Sequence, residues 1–420
     1  MESKVEVFEF SGPKNSWRRH QTWLQVAMTK RRRTNKAFAF KTKRAIFGDL
    51  LSGAFHSKLA YTAYLVRNGT RLRSIITYLG HIPFLDSFLE LFFWLRIQRN
   101  SNLEALINKV APDIVIVVST GAEPLLAEMQ KIGQLPCPWV FLPDNWDNVF
   151  TKSIFRHRPD EFWVWSEQQL EHLNRTFGVE NLKIQIIGSS RFSYEARRNF
   201  SPVKSRMARD SAAMKILYAG QESPHDEISD LMWIVKVLKL NTFSKIEQFE
   251  ILYRPHPTAR ARSSESKHLV QLVESCSSDS KILIEIVTHG QDLRRRQNED
   301  VMSAIRNVDV VIGAPTTLLL ESLFYDVPAA VLLRDDGIHR TSSGRIWHHY
   351  LHFLPLEDFP QFQVIEEQTE LISFLESFNV KQDLISEKNL KYFIGNYSQP
   401  YYVNLVKAIE EALNLEEYSF

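Results

Sequence analysis

The run Gly313-Ala-Pro-Thr-Thr-Leu-Leu-Leu-Glu321 brings together a glycine, two hydroxyls and a carboxylate at spacings that suit a nucleotide. Gly313 lets the backbone turn tightly against a ligand. Thr316 and Thr317 fall where a helix begins, so their hydroxyls and the first backbone N–H groups can bind phosphate oxygens. Glu321 lies four residues beyond Thr317, on the same side one turn along, where it could accept hydrogen bonds from ribose hydroxyls. The plainer alternative is a threonine N-cap followed by an ordinary helix glutamate. Arg254-Pro-His-Pro257 offers a second set of donors. Its prolines stiffen a loop, and Arg254 and His256 supply one permanent and one titratable cation for a diphosphate whose charge grows as it leaves. A histidine between prolines can equally be structural. Gly220, at the turn after Lys215-Ile-Leu-Tyr-Ala219, completes the donor-side candidates.

A transferase that deprotonates an acceptor hydroxyl also needs a carboxylate or imidazole beside the attacking oxygen. Asp144 and Asp147 in Pro143-Asp-Asn-Trp-Asp-Asn148, and Glu123 in Ser119-Thr-Gly-Ala-Glu123, are the eligible carboxylates. Asp and Asn are also turn formers, and Trp146 has a packing role open to it. The sequence contains no D-x-D, no G-x-x-x-x-G-K-[ST], no G-x-G-x-x-G, no H-E-x-x-H and no C-x-x-C. A metal-binding site of those types is therefore unsupported, and we expect no cofactor and no metal. Charge neutralisation is expected from helix ends and from side chains such as Arg254 and His256.

These residues need elements to hold them. Leu103, Leu106, Ile107 and Val110 have helical spacing and stop at Pro112. Ile114–Val118 follows as a continuous apolar run, the pattern of a strand buried on both faces of a parallel sheet. Trp139–Leu142, Phe162–Trp165, a helix over Glu167–Phe177 and Ile184–Ile187 continue the alternation. The polar stretch 201–212 reads as a linker. A second alternating block has strands at 215–219, 249–253, 282–287, 308–312 and 329–333. Its helices fall at 228–238, around 301–306 and through Phe324, and further helices near 366–378 and 401–413 close the chain. Two blocks of this kind predict an α/β protein of two Rossmann-like parallel-sheet domains facing across a cleft. The loops at the strands' carboxyl ends, which carry the residues above, would line it.

Composition sets the outer bounds. The chain has 420 residues, 44% of them apolar and 24% charged, which excludes collagen-like and disordered classes. Two cysteines, Cys137 and Cys276, exclude a disulfide scaffold and suit a reducing compartment. The first ten residues lack an apolar core, so no signal peptide is expected. Net charge is +2, yet residues 1–75 carry 16 Lys and Arg against four acids. That segment points to a polyanionic partner, or else to a solvated helix face. Phe84–Leu95 is apolar around most of a helical circumference, which fits a buried core helix or a patch dipping into a membrane surface. We expect a cytoplasmic protein, peripheral on the inner face of the membrane through residues 14–95, with no nucleic-acid partner because no nucleic-acid module is recognisable.

Pro143–Asn148, Gly188-Ser-Ser-Arg-Phe192, Arg254–Pro257 and Gly313–Glu321 with Pro328, in this order, resemble a glycosyltransferase of the GT-B fold. The resemblance is to bacterial surface-carbohydrate and capsule biosynthesis proteins, and more distantly to CDP-glycerol glycerophosphotransferases and bacterial sialyltransferases. It spans residues 103–335. It implies that His256, Pro257, Thr316 and Thr317 hold the donor's phosphate and that Glu321 holds the ribose. It also implies an acceptor-side domain over 1–200, a nucleotide-donor domain over 213–395, and a last helix within 396–420 crossing back to the first domain. The expected activity is transfer of a sugar from a nucleotide-sugar donor to a surface glycan or lipid-linked glycan acceptor. The alternatives are a non-hydrolysing sugar-nucleotide epimerase, a CDP-alditol-type phosphotransferase, or a binding protein for polyanions.

Overall fold

The computed structural model describes residues 101–119, 132, 135–146, 159–177, 183–192, 213–221, 226–244, 246–255, 263–277, 280–286, 304–305, 307–335, 343–347, 352–377 and 387–414. The basic segment, Phe84–Leu95 and the expected linker lie outside them. The described chain divides into two compact units. One comprises residues 101–163 and 172–184, and the other residues 164–171 and those from 185 onward.

After helix α1 (Ser101–Val110), a four-stranded sheet forms from β1 (Val115–Ser119), β2 (Trp139–Pro143), β3 (Glu161–Val164) and β4 (Lys183–Ile186), in that spatial order. Helix α2 (Glu167–Phe177) joins β3 to β4. The β1–β2 and β2–β3 pairs are parallel. β2 and β3 are buried along their whole lengths, which explains why their sequences do not alternate. The sheet lies in the first unit except for Val164 and the last two residues of β4.

The second unit holds a six-stranded sheet. Its elements, in chain order, are β5 (Ala213–Ala219), α3 (Glu227–Leu240), β6 (Gln248–Arg254), α4 (Ser263–Ser277), β7 (Ile282–Ile286), β8 (Val310–Gly313), α5 (Thr317–Phe324), β9 (Ala329–Leu332), α6 (Ser343–Ile346), β10 (Phe362–Ile365), α7 (Gln368–Ser377), α8 (Glu387–Ile394) and α9 (Tyr401–Asn414). The spatial order is β10-β9-β8-β5-β6-β7, and every pair is parallel. Numbered within the sheet this is 3-2-1-4-5-6 read from β7, the doubly wound arrangement whose strand order reverses between β5 and β8. Period-2 alternation sends Met214, Ile216 and Tyr218 of β5 and Phe249, Ile251 and Tyr253 of β6 into one core. They meet Leu231, Ile234 and Leu238 of α3, Leu272 and Cys276 of α4, and Leu371, Phe374 and Leu375 of α7. Helix α5 packs against β8 and β9. β8 and β9 are buried at every residue.

Most expected elements stand within a few residues of their reading. Strand β10 and the helices α4, α6 and α8 stand outside that reading. β10 is four residues long, and α4 carries a polar sequence with only a narrow apolar stripe, so neither offers strong periodicity.

Candidate functional site

In a doubly wound sheet, ligands bind beyond the carboxyl ends of the strands where their order reverses. Here that point lies between Ala219 of β5 and Gly313 of β8, which are register partners. A Cβ on Gly313 would lie 2.5 Å from the Ala219 carbonyl oxygen and 2.9 Å from the Ala219 Cβ. Only glycine lets the two strand ends close to this distance. One strand further, the Gly220 N–H donates to the Arg254 carbonyl oxygen at 3.0 Å. Gly220, Arg254 and Gly313 therefore end three adjacent strands.

Two helices start above this point, and their first turns differ in charge. Helix α3 begins with Asp226 as N-cap, whose carboxylate accepts from the Ile228 and Ser229 N–H groups, both at 3.1 Å. Glu227 and Asp230 add two buried acids to the same turn. The Tyr253 hydroxyl donates to Glu227 at 2.6 Å and the Tyr218 hydroxyl to Asp230 at 3.0 Å. Burial foremost, then the neighbouring Asp230 and Glu227 charges, pushes the Tyr218 hydroxyl well above the ordinary tyrosine range. Arg334, just past β9, lies 3.5 Å from Asp230, donates to the Ser229 carbonyl at 3.1 Å and rests on the Trp233 ring. Three acids in one turn thus occupy the positive end of α3.

Helix α5 is the reverse case. Thr316 holds the N-cap position in extended conformation (φ −145°, ψ 154°) and makes no side-chain cap hydrogen bond. The first turn contains no acidic residue. Thr316 and Thr317 are half-buried, so the hydroxyls stand at a helix end whose partial positive charge is uncompensated within that turn.

Glu321 follows one turn along α5 with its side chain 17% exposed. Burial pushes its carboxyl above the ordinary glutamate range, while the Arg191 and Arg254 guanidiniums pull the other way. The Arg191 guanidinium is 3.5 Å from the Glu321 carboxylate. Arg191 sits in a 3₁₀ turn, Ser190–Phe192, that follows β4. Gly188 (φ +80°) begins this bend in the left-handed region that favours glycine. Phe192 is buried and meets Trp165 and Phe324 edge to face at centroid distances of 6.0 and 5.2 Å. Phe324 is three residues after Glu321, so an aromatic contact and an ion pair join the turn to α5 side by side.

The segment before Arg191 is itself clasped from the chain's end. A Cβ on Gly395 (φ +76°) would collide with the Trp165 carbonyl and lie 3.2 Å from the Gly188 Cα. Asn404 of α9 donates to the Ile187 carbonyl at 3.2 Å, and the Tyr392 hydroxyl of α8 donates to Glu171 at 3.2 Å.

Of the sequence-derived candidates, the structure gathers Gly220, Arg254, Gly313, Thr316, Thr317 and Glu321 at one end of the six-stranded sheet. Asp144 stands exposed immediately after β2, at the carboxyl end of the four-stranded sheet. Beside it Trp146 is buried, and its N–H donates to the Asn145 side chain at 3.0 Å. His256, Glu123 and Asp147 lie outside the described residues. Sequence reasoning singled out Gly188–Phe192 but gave Arg191 no role, and it passed over Arg334 and Glu227. Arg191's partner is 130 positions away, so only the folded chain reveals it.

No protein-family model and no curated protein matches the chain. Among solved structures, it is similar to a UDP-GlcNAc 2-epimerase from Methanocaldococcus jannaschii, at 15% identity over 81% of this chain and 83% of the other, with a TM-score of 0.47. A sucrose-phosphate synthase from Thermosynechococcus elongatus is similar at 12% identity over 76% and 77%, TM-score 0.42. MurG from Acinetobacter baumannii is similar at 14% identity over 78% and 79%, TM-score 0.41. The sheets themselves carry the fold assignment: two parallel-sheet α/β units, the architecture expected of a GT-B protein.

Proposed function

We propose that the protein is an enzyme that transfers a sugar from a nucleotide-sugar donor onto a glycan or lipid-linked glycan acceptor. The observation that supports this most is the contrast between the two helix ends at the strand-order reversal. One is filled by Asp226, Glu227 and Asp230; the other offers Thr316, Thr317 and an uncompensated positive end. The Arg191 and Arg254 guanidiniums both act on Glu321, and groups of this type suit an anionic ligand.

In this reading the donor's diphosphate lies at the start of α5, with Arg254 and His256 stabilising the charge that grows as the sugar–phosphate C–O bond breaks. Glu321 accepts hydrogen bonds from the ribose. The acceptor hydroxyl forms the new C–O bond and gives its proton to a carboxylate, for which Asp144 is the first choice and Glu123 and Asp147 the alternatives. The donor site, apart from Arg191, belongs to the domain over 213–395 and the acceptor to that over 1–200, with the basic segment and Phe84–Leu95 bringing the enzyme to an anionic membrane.

A thermal-shift screen against UDP, GDP, CMP, CDP, ADP and dTDP tests the donor site. A ligand selective for the native state raises the melting temperature according to its binding free energy. One nucleotide is expected to stand out, and Thr316→Ala/Thr317→Ala is expected to abolish its shift. No shift with any nucleotide refutes the donor site. A new epimer formed from a UDP-sugar with no acceptor present would replace transfer by epimerisation.

A further inference from the structure

We propose that Arg191 is a positioning residue of the donor site, holding Glu321 ionised and aimed so that the carboxylate can take the ribose hydroxyls. This deepens the nucleotide-donor reading and rests on it.

The geometry is specific. Glu321 is largely withdrawn from water on a helix whose own residues bring it no cation, since α5 contains no Lys, Arg or His. The charged groups acting on it come from two other elements: Arg191 from the turn after β4, at 3.5 Å, and Arg254 from the end of β6. Burial alone favours the protonated acid, which has one oxygen fewer to offer to a hydroxyl donor. The ionised carboxylate accepts through both oxygens, and hydrogen bonds to it are about twice as strong as neutral ones. Arg191 thus sets the state in which Glu321 meets its ligand.

The placement of Arg191 is itself built. Its N–H donates to the Ser189 hydroxyl at 3.3 Å, the Phe192 N–H donates to the Ser189 carbonyl at 3.1 Å, and Phe192 locks between Trp165 and Phe324. A guanidinium serving only as a surface ion pair needs no such frame. Arg191 is 36% exposed, so it can stay beside the carboxylate while a ligand approaches from solvent.

The test measures calorimetric affinity for UDP, GDP, CMP, CDP, ADP and dTDP, and for the nucleoside of whichever binds, from pH 5 to pH 8.5. The proteins are the wild type, Arg191→Gln and Arg191→Lys, each checked by circular dichroism and melting temperature. Removing a cation this close raises a carboxylate's pKa by about one unit or more. Arg191→Gln should therefore bind up to about tenfold more weakly than wild type at the acid end and recover toward wild type at pH 8.5. Arg191→Lys should restore most of the acid-side affinity, and the nucleoside should show the same pattern as the nucleotide. A loss equal at every pH overturns the proposal, because a merely structural role would give that. A loss seen with the nucleotide but not with its nucleoside also overturns it, by placing the guanidinium on phosphate. If Arg191→Gln fails to fold, the Arg191→Lys profile alone decides: a curve coincident with wild type supports the proposal, and a uniform loss sinks it. Absence of binding by wild type to all six nucleotides refutes the donor reading itself, and this inference with it.

Discussion

Replacing Gly313 by alanine tests the close approach of β8 to β5. The added methyl group would sit 2.5 Å from the Ala219 carbonyl oxygen and 2.9 Å from the Ala219 Cβ. Ordinary contact begins at 3.4 Å, so the strand ends must separate by about 0.9 Å. Both neighbours are groups of the paired strand and cannot swing aside as a long side chain would. β8 is buried on all sides, so the displacement passes into the core. Overpacking of this kind costs about 2 kcal/mol, within a range of roughly 1–3. For a unit of this size that corresponds to a fall in melting temperature of about 4–8 °C. The assay is thermal and urea unfolding followed by circular dichroism, with nucleotide affinity measured in parallel. Adding Ala219→Gly should recover only part of the loss, because it removes the Cβ conflict and leaves the carbonyl one. A Gly313→Ala protein melting within about 1 °C of wild type would refute the tight closure of β5 on β8.

Other consequences are as direct. Because the raised Glu321 carboxyl binds a proton more readily folded than unfolded, stability should fall as pH rises from the ordinary glutamate range through the raised value, then level off. Glu321→Gln should flatten that slope in pH-dependent urea melts. Gly395→Ala combines left-handed backbone with a collision against the Trp165 carbonyl and should destabilise by about 3 kcal/mol or more, seen as poor soluble yield and a melting temperature below that of Gly313→Ala. Tyr253→Phe removes a 2.6 Å hydrogen bond to a buried carboxylate and should lower unfolding free energy by about 1.5–3 kcal/mol in urea titrations. Asp226→Ala deletes a cap bonded to two N–H groups, for a loss of about 1 kcal/mol by the same measurement.

Much of the fold was legible because its strands are buried on both faces. The strands expected at 308–312 and 329–333 stand at Val310–Gly313 and Ala329–Leu332, fully buried. Glu167–Phe177 was read with its observed bounds, since Leu170, Leu173 and Phe177 space one face of a helix. The short edge strand β10 escaped because four residues carry too little periodicity. At the site, types and spacing pointed to Thr316, Thr317 and Glu321, which belong to one local strand–turn–helix unit. Arg191 escaped as a partner because the contact depends on how the turn 190–192 meets α5. The same holds for Arg334, whose bond to Asp230 joins residues 104 positions apart.

The clasp formed by Gly395 and Asn404 on the Ile187–Gly188 bend has a consequence for how the protein matures. Both residues are translated some two hundred codons after the bend they secure. A nascent chain that has already built the six parallel strands still lacks this fastening. The frame around the guanidinium beside Glu321 is therefore completed later than the sheet beneath it.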